Sequence, residues 1–124
     1  MLRTERFYMH HKDMEVWKQA MELVYQVYKI VETFPKEELY GLTSQIKRCV
    51  ISIPSNIAEG CGRFSNKETS RFITISLGSL AELDTQLLIA QHLHFVDDIT
   101  EVSKQVDKVN ALLVGLKKYL EKDS

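Results

Sequence analysis

The sequence predicts an all-α protein, an up-down-up-down bundle of four helices. Four segments carry apolar residues at spacings of three and four, the period of one helical face, and no segment alternates as a half-buried strand does. Proline, glycine and capping residues separate these segments. The chain of 124 residues is long enough for one domain with a hydrophobic core. We assign residues 1–12 to a basic N-terminal lead-in and residues 13–124 to the four-helix bundle domain.

The first helix is expected to begin at Met14, with Asp13 as its N-cap, and to end before Pro35. Its apolar face consists of Val16, Ala20, Val24, Val27, Val31 and Phe34. An adjoining stripe carries larger side chains, namely Trp17, Met21, Tyr25 and Tyr28. The combined apolar arc is wider than one seam of a bundle requires. The aromatic stripe either covers the edge of the bundle or contacts another subunit, and the sequence leaves both open.

The second helix lies within the stretch from Gly41 to Arg63 and contains a proline. Pro54 removes one backbone hydrogen bond and clashes with the preceding turn. Either a new helix begins near Pro54, or one helix continues through it with a kink. The unbroken apolar spacing on both sides favours the continuous helix. Gly60 and Gly62 follow, and either is able to adopt the left-handed conformation of a helix C-cap.

A polar stripe runs beside the apolar face of the second helix. It consists of Gln45, Arg48, Ser52, Asn56 and Glu59. If the second and third helices pair as an antiparallel hairpin, Ser52 lies opposite Ser76. Arg48 then lies near Ser79 and Glu82. This register predicts a buried Arg48–Glu82 ion pair within a polar network, which either fixes the helix register or lines a partner site.

The third helix, at about residues 66–92, begins at a capping box formed by Ser65 and Glu68. Its second half is apolar around most of its circumference, which indicates burial on more than one side and hence association with other subunits. Gly78 and Ala81 are small enough for another helix to approach closely. The candidate oligomer-interface residues on the first and third helices are Trp17, Met21, Tyr28, Phe72 and Ile75.

A turn at residues 92–97 precedes the fourth helix, for which Asp98 and Glu101 offer a second capping pair. The fourth helix has a near-heptad apolar stripe, made of Ile99, Val102, Val106, Val109, Leu113, Leu116 and Leu120. Its lysines lie mostly off that stripe, as expected of a solvated face. The sequence therefore ends in one more amphipathic helix, which completes the bundle.

The formal net charge is −1, so no global positive field attracts RNA, DNA or a membrane surface. Positive charge is concentrated locally, because residues 1–12 and 41–64 each carry a net charge of +2, whereas residues 13–40 carry −3. Any nucleic-acid surface is therefore expected on the N-terminal arm and the second helix. The candidate contacts are Arg3, Arg6, Lys12, Lys47 and Arg63.

The chain begins without a secretory signal pattern, and no apolar run approaches the ~20 residues that span a bilayer. Cys49 and Cys61 are expected about 18 Å apart on one helix, too far for a disulfide within the chain. We therefore expect a cytoplasmic protein with two reduced, buried cysteines and no membrane partner.

The sequence offers no clustered set of catalytic groups, metal ligands or cofactor-binding loops, so we expect no enzyme activity, cofactor, metal site or small-molecule substrate. His92 and His94 are two positions apart and point to different sides of a helix. Four-helix ribonucleases of the HEPN type use an arginine followed by a histidine on a late helix. The stretch from Arg6 to His11 has their spacing, although it lies in the N-terminal lead-in. A nuclease is therefore a remote alternative.

Two motifs carry a resemblance to a known family. They are QIKRCVISIPSNIAEG at residues 45–60 and GSLAELDTQ at residues 78–86. With them, about residues 12–120 resemble the four helix bundle protein family, also called the 23S rRNA-intervening-sequence protein family. The resemblance implies a four-helix bundle similar to the accessory protein of diversity-generating retroelements, which assembles as a pentameric ring and binds nucleic acid and a reverse transcriptase. It implies no catalytic residue.

These observations lead to two functional hypotheses. The first is a non-enzymatic homo-oligomeric scaffold, a pentamer by resemblance, that contacts RNA, DNA or a nucleoprotein partner. The second is a purely structural protein-interaction module that does not bind nucleic acid. A measurement of nucleic-acid binding distinguishes the two.

Overall fold

The computed structural model describes residues 10–122, which form four α-helices and no strand. The helices are α1 (Glu15–Ile30), α2 (Leu42–Cys61), α3 (Asn66–His92) and α4 (Thr100–Glu121). Short 3-10 turns lie at His11–Asp13, Val31–Thr33 and Lys36–Glu38. The all-α, four-helix fold class is therefore confirmed. Arg3 and Arg6, two of the candidate nucleic-acid contacts, lie outside the described residues.

The helices pack in a closed cycle, with α1 on α2, α2 on α3, α3 on α4 and α4 on α1. Consequently, α1 and α3 occupy diagonal corners of the bundle. The α2–α3 contact is the most extensive of the four. The fully enclosed core side chains are mainly aliphatic and include Leu23, Val27, Ile46, Val50, Ile53, Ile57, Ile73, Leu83, Val109 and Leu113. Burying each of them contributes about 1.5–3 kcal/mol, which makes this core the main source of stability.

The first helix begins differently from the prediction. Met14 is its N-cap residue and makes no side-chain capping bond, while Asp13 belongs to the preceding 3-10 turn. The prediction that Asp13 caps this helix is wrong, because burial of the Met14 side chain in the core fixes the entry of the chain instead. At the other end, Phe34 has the extended backbone expected of a residue before Pro35 (φ −73°, ψ 150°).

The second helix continues through Pro54 without a break, as its apolar spacing predicted. Hydroxyl groups contact the backbone carbonyls just before the proline. Ser52 donates to the carbonyl oxygen of Cys49 (2.6 Å), and Ser76 of α3 donates to that of Ile53 (2.9 Å). Pro54 has no N–H group to donate to the Val50 carbonyl, and the two hydroxyls add hydrogen bonds to neighbouring carbonyls.

Gly60 allows α2 and α3 to approach each other closely. Its carbonyl oxygen accepts a hydrogen bond from the Thr69 hydroxyl (2.7 Å), and a Cβ atom at Gly60 would lie 2.9 Å from the Cβ of Phe72. Gly60 and Gly62 have no positive φ, so the prediction of a left-handed cap is wrong. The chain needs glycine at position 60 for space and not for its φ angle.

A capping side chain starts α3, whereas α4 begins without one, so the prediction of an Asp98–Glu101 capping pair is wrong. The Ser65 hydroxyl accepts a hydrogen bond from the backbone N–H of Glu68 (3.1 Å), as the predicted capping box requires. The Asp98 carboxylate instead bonds Thr100 two residues later, and hydrogen bonds from the Thr100 side chain and from its backbone N–H (2.8 Å) hold the pKa of Asp98 below its ordinary value. α4 therefore begins at Thr100, with Ile99 at the N-cap position.

The C-terminus of α3 closes in a Schellman motif. The N–H of Phe95 bonds the carbonyl of Ala90 (2.9 Å), and the N–H of His94 bonds that of Gln91 (3.0 Å). His94 occupies the left-handed position that glycine usually takes, with φ 63°. The Phe95 carbonyl then accepts a hydrogen bond from the Thr33 hydroxyl (2.7 Å), which ties this end of α3 to the segment after α1.

Among the helices within residues 10–122, α3 is the one that is long and apolar enough to cross a membrane by length and composition alone. Polar residues interrupt the apolar side chains of α3, so the sequence shows no apolar run of about 20 residues there. The inner side of α3 packs on α2 and α4, and the core helix of a globular protein meets the same criterion. Its outer side leaves several apolar side chains exposed.

Gly60→Ala is expected to destabilise the bundle by ~1–3 kcal/mol, because the added Cβ overlaps the Cβ of Phe72 and meets the backbone of Thr69. Gly115→Ala on α4 is the matched control, since no atom lies within 4 Å of its Cβ position. This change is expected to be neutral or to stabilise by up to ~1 kcal/mol. Urea unfolding followed by circular dichroism measures both. Equal unfolding midpoints would contradict the packing role of Gly60.

Candidate functional site

The polar stripe of α2 meets α3 along one seam of the bundle. The Ser52 and Ser79 hydroxyls share a hydrogen bond (2.8 Å), and the Cys49 thiol donates to the backbone carbonyl of Ser79 (3.0 Å). Asn56 bonds the Ser52 carbonyl within α2 (2.8 Å). The antiparallel register was therefore predicted to within one helical turn, although Ser52 pairs with Ser79 and not with Ser76.

Arg48 and Glu82 do not form the predicted ion pair, and neither is buried. The Arg48 guanidinium donates to the Ser44 hydroxyl one turn earlier on α2 (3.0 Å). Glu82 instead accepts from the Cys49 thiol (3.6 Å). The ion-pair prediction is wrong because Cys49 occupies the seam between the helices, which leaves the two long side chains at its outer edge.

Glu59, at the C-terminal end of the stripe, lies apart from the rest of the predicted network. Glu59 pairs with Arg63 four residues later (2.7 Å), so its carboxylate does not join the Ser52–Ser79 cluster. Gln45 is exposed. The structure therefore brings together the middle of the polar stripe, around Ser52, and separates its C-terminal end at Glu59.

An open polar cleft of about 640 Å³ lies on the outside of the α2–α3 seam. Its walls are formed by Tyr40, Ser44, Gln45, Arg48, Cys49 and Ser52 on one side and by Glu82 and Gln86 on the other. Its size falls in the range of small-molecule and cofactor sites. Four residues of the predicted polar network thus line one concave surface, which makes this cleft the candidate functional site.

Four residues of the cleft were not predicted as site residues, namely Tyr40, Ser44, Cys49 and Gln86. Gln86 was not singled out, although it follows Glu82 by four positions and so shares its face of α3. Tyr40 was assigned to a connection, yet it lies at the rim of the cleft with 93% of its surface exposed. The i, i+4 spacing was a usable signal for Gln86, whereas the sequence held none for Tyr40.

Cys49 is a hydrogen-bond donor in this site and not a nucleophile. Burial, together with the negative charge of Glu82, raises the pKa of its thiol to about 12. Burial also raises the pKa of the Cys61 thiol, which lies 3.3 Å from the sulfur of Met14. Both cysteines are free thiols, and neither carries the depressed pKa of a reactive cysteine.

Two apolar surfaces remain uncovered outside the cleft. One is a groove of about 920 Å³ between α1, the following connection and α2, which includes Tyr25, Tyr28, Leu39 and Ile51. The Lys47 ammonium lies 5.0 Å from the centre of the Tyr28 ring at this groove. The other is the outer side of α3, where Ile75, Leu88 and Ile89 are 45%, 52% and 44% exposed.

The candidate interface residues fall on both of these sides of the bundle. Tyr28 on α1 and Ile75 on α3 are exposed, while Trp17 and Met21 are half-buried. Phe72 is half-buried on α3, with Arg63 and Arg71 over its ring at 4.7 and 5.5 Å. Since α1 and α3 stand at diagonal corners, these residues form two separate surfaces and not one.

The candidate nucleic-acid contacts are divided between the two ends of the bundle. Lys12 precedes Met14, which contacts Cys61, so Lys12 and Arg63 belong to the same end. Lys47 lies about 24 Å away along α2, at 1.5 Å per residue, beside the C-terminal part of α1. Arg63 is also paired with Glu59, which offsets its charge. The described residues therefore do not form one continuous basic patch.

Within residues 10–122, no group of three or more histidine, cysteine, aspartate or glutamate side chains is placed to hold a metal ion. His11, the histidine of the ribonuclease-like spacing, lies in the N-terminal 3-10 turn, stacked on His10 and edge-on to Trp17. Burial, His10 and Lys12 lower the pKa of His11. Its spacing partner Arg6 falls outside the described residues.

The fold and its surfaces define a class of protein, a small four-helix bundle with a polar cleft and uncovered apolar faces. The chain belongs to the family of 23S rRNA-intervening sequence proteins, whose model matches residues 12–115. The match includes α1, α2 and α3 entirely and most of α4, and it confirms the family resemblance of the two sequence motifs. No curated protein matches the chain.

Cys49 is expected to make the protein less stable at alkaline pH. Its pKa of about 12 in the folded state exceeds the ordinary thiol value of about 8.5, so the folded chain holds the proton more tightly. This stabilisation is complete below the unfolded-state pKa and is lost as the pH rises towards 12. Between these values the wild-type free energy of unfolding should fall by up to about 1.4 kcal/mol per pH unit more steeply than that of Cys49→Ala. Urea titrations at several pH values measure the difference. The same pH dependence of the free energy of unfolding in both proteins would refute the prediction.

Proposed function

We propose that this protein is a non-enzymatic, cytoplasmic, homo-oligomeric scaffold that contacts nucleic acid or a nucleoprotein partner. The observation that carries the proposal is the outer side of α3, where large aliphatic side chains stand exposed at Ile75, Leu88 and Ile89. An isolated bundle normally places charged residues at such positions. A second copy of the chain that covers this side removes its apolar area from water.

The positions of the two apolar surfaces support a head-to-tail arrangement. The α1–α2 groove with Tyr25 and Tyr28 and the outer side of α3 lie on different sides of the bundle. When one surface of a copy contacts the other surface of the next, the contact is heterologous and closes into a ring if the rotation permits. The pentameric size rests on the resemblance to the retroelement accessory protein alone.

Such an assembly would repeat the basic residues at one end of the bundle. Lys12 and Arg63 lie at the same end of the bundle, and Arg3 and Arg6 precede Lys12 in the sequence. Several copies together would present positive charge that one chain of net charge −1 does not. Contacts of this kind bind the phosphate backbone without reading the bases.

A protein-interaction module without nucleic-acid binding is the second candidate function. It is favoured by the net charge of −1 and by the Arg63–Glu59 ion pair, which already offsets one of the candidate phosphate contacts. The exposed apolar surfaces then serve protein partners alone. A ribonuclease of the HEPN type remains a remote alternative, because its arginine–histidine spacing occurs in the lead-in at Arg6 and His11.

The purified protein is expected to have a molar mass several times its chain mass of 14.4 kDa in light scattering after gel filtration. Ile89→Lys should shift the mass towards the monomer, because a charge would be desolvated in the contact. Ala111→Lys, on the exposed side of α4, is the control and should leave the mass unchanged. Circular dichroism verifies that both variants are folded. A monomeric wild-type protein would refute the scaffold.

Binding of structured RNA should depend on salt and on the N-terminal basic residues. Replacing Arg3, Arg6 and Lys12 together by glutamine should weaken binding equally for different sequences. It should also reduce the logarithmic salt slope by roughly 0.7–0.9 for each lost phosphate contact. The matched control replaces three exposed lysines of α4 by glutamine, Lys104, Lys108 and Lys118. Absence of binding at about 50 mM salt would favour the protein-interaction module.

A further inference from the structure

The outer side of α3 carries acidic residues and no lysine or arginine. Its exposed face follows spacings of three and four residues through Ile75, Gly78, Glu82, Thr85 and Ile89. Asp84, which is half-buried, lies at the edge of this face. The sequence contains no lysine or arginine between Arg71 and Lys104. This side of the bundle is therefore both apolar and negatively charged.

The apolar groove between α1 and α2 has the opposite charge. Of the described residues that line it, Lys29, Lys36 and Lys47 are basic and Glu32 is acidic. None of these lysines forms an ion pair within residues 10–122, and neither acidic residue on the outer side of α3 does. The two uncovered apolar surfaces of the bundle thus carry opposite charges that the single chain does not neutralise.

Gly78 is a third feature of α3 that the single chain does not explain. It is exposed in the middle of a helix of 27 residues, where glycine makes the helix less stable than alanine would. A Cβ atom at Gly78 would meet no atom within 4 Å, so no contact inside the bundle requires glycine there. A glycine on an exposed helix face allows another helix to approach closely, as Gly60 does between α2 and α3.

The charges determine which surfaces of two copies suit each other. In a symmetric contact of α3 with α3, acidic residues would face acidic residues, and in a contact of groove with groove, lysines would face lysines. Both arrangements place like charges together, which costs binding free energy. The outer side of α3 against the groove of another copy brings opposite charges together and covers both apolar surfaces.

We propose that the outer side of α3 occupies the α1–α2 groove of a second copy of the chain. Gly78 lies at the closest approach, and the acidic residues of α3 lie near the three lysines of the groove. This inference rests on the proposed scaffold function and specifies the contact by which the scaffold assembles. It makes two different surfaces of each copy necessary, and both can be changed separately.

Gly78→Leu is expected to weaken self-association about 10-fold or more, because the added side chain holds the two helices apart. Gly115→Leu on α4 is the matched control, since Gly115 is also exposed and has no atom within 4 Å of its Cβ position. This control should associate as the wild type does. Sedimentation of the full-length proteins over a range of concentrations measures both, and circular dichroism verifies that the variants fold.

Charge reversal on each surface tests whether the two surfaces meet. The groove variant replaces Lys29, Lys36 and Lys47 by glutamate, and the α3 variant replaces Glu82 and Asp84 by lysine. Each variant places like charges at the contact, so each should associate about 10-fold or more weakly than the wild type.

Combining the two sets of changes should restore association. In a chain that carries both sets, opposite charges again meet at every contact. An equimolar mixture of the two separate variants should also associate, through contacts between unlike copies. The control replaces Lys104, Lys108 and Lys118 of α4 by glutamate, which changes the net charge as much as the groove variant does and should leave association unchanged.

The outcomes separate this contact from the scaffold itself. A monomeric wild-type protein would refute both. An oligomer that folded Gly78→Leu or the folded groove variant leaves unchanged would overturn the contact while the scaffold stands, because another surface would then cover α3. Failure of the folded combined variant to associate again would overturn the contact in the same way.

Discussion

The close pairing of α2 with α3 is the constraint on which the rest of the structure depends. The two backbones approach closely at Gly60, where a side chain would overlap Phe72. Hydroxyl groups of α3 then donate across the seam to backbone carbonyls of α2, from Thr69 to Gly60 and from Ser76 to Ile53. These bonds fix the register of the two helices, and the register in turn determines that the polar stripes of both helices face one cleft.

The regular part of this arrangement could be predicted from the sequence, because apolar spacing and capping residues act locally. The number of helices, the continuity of α2 through Pro54 and the register of the hairpin to within one turn all follow from such signals. The Arg48–Glu82 pairing could not be predicted in this way. The partners of long side chains at the edge of a seam depend on side-chain length and solvation and not on the helix register. Nor could the left-handed His94 be predicted, because a Schellman motif without glycine leaves no mark in the sequence.

The surfaces of the bundle differ in polarity, and each lies on different helices. The outer side of α3 and the groove beside α1 are apolar and suit protein contacts, whereas the cleft between α2 and α3 is polar and suits a small polar group. The cleft is built mainly on two helices, which the Ser52–Ser79 hydrogen bond joins. Among its lining residues, Tyr40 comes from the connection before α2.

The topology also places both ends of the described chain at the same end of the bundle as the α2–α3 turn. Met14 lies against Cys61 there, and Ser70 at the start of α3 donates to the Glu121 carboxylate at the end of α4 (2.6 Å). A short linker between the two ends would close the polypeptide into a circle, which could then be opened in the connection at residues 93–99 without changing the helix packing. In an assembly with cyclic symmetry, these ends of all subunits would lie on the same face of the assembly. A domain fused to either terminus would be displayed on that face, once per subunit, and the opposite face would remain free.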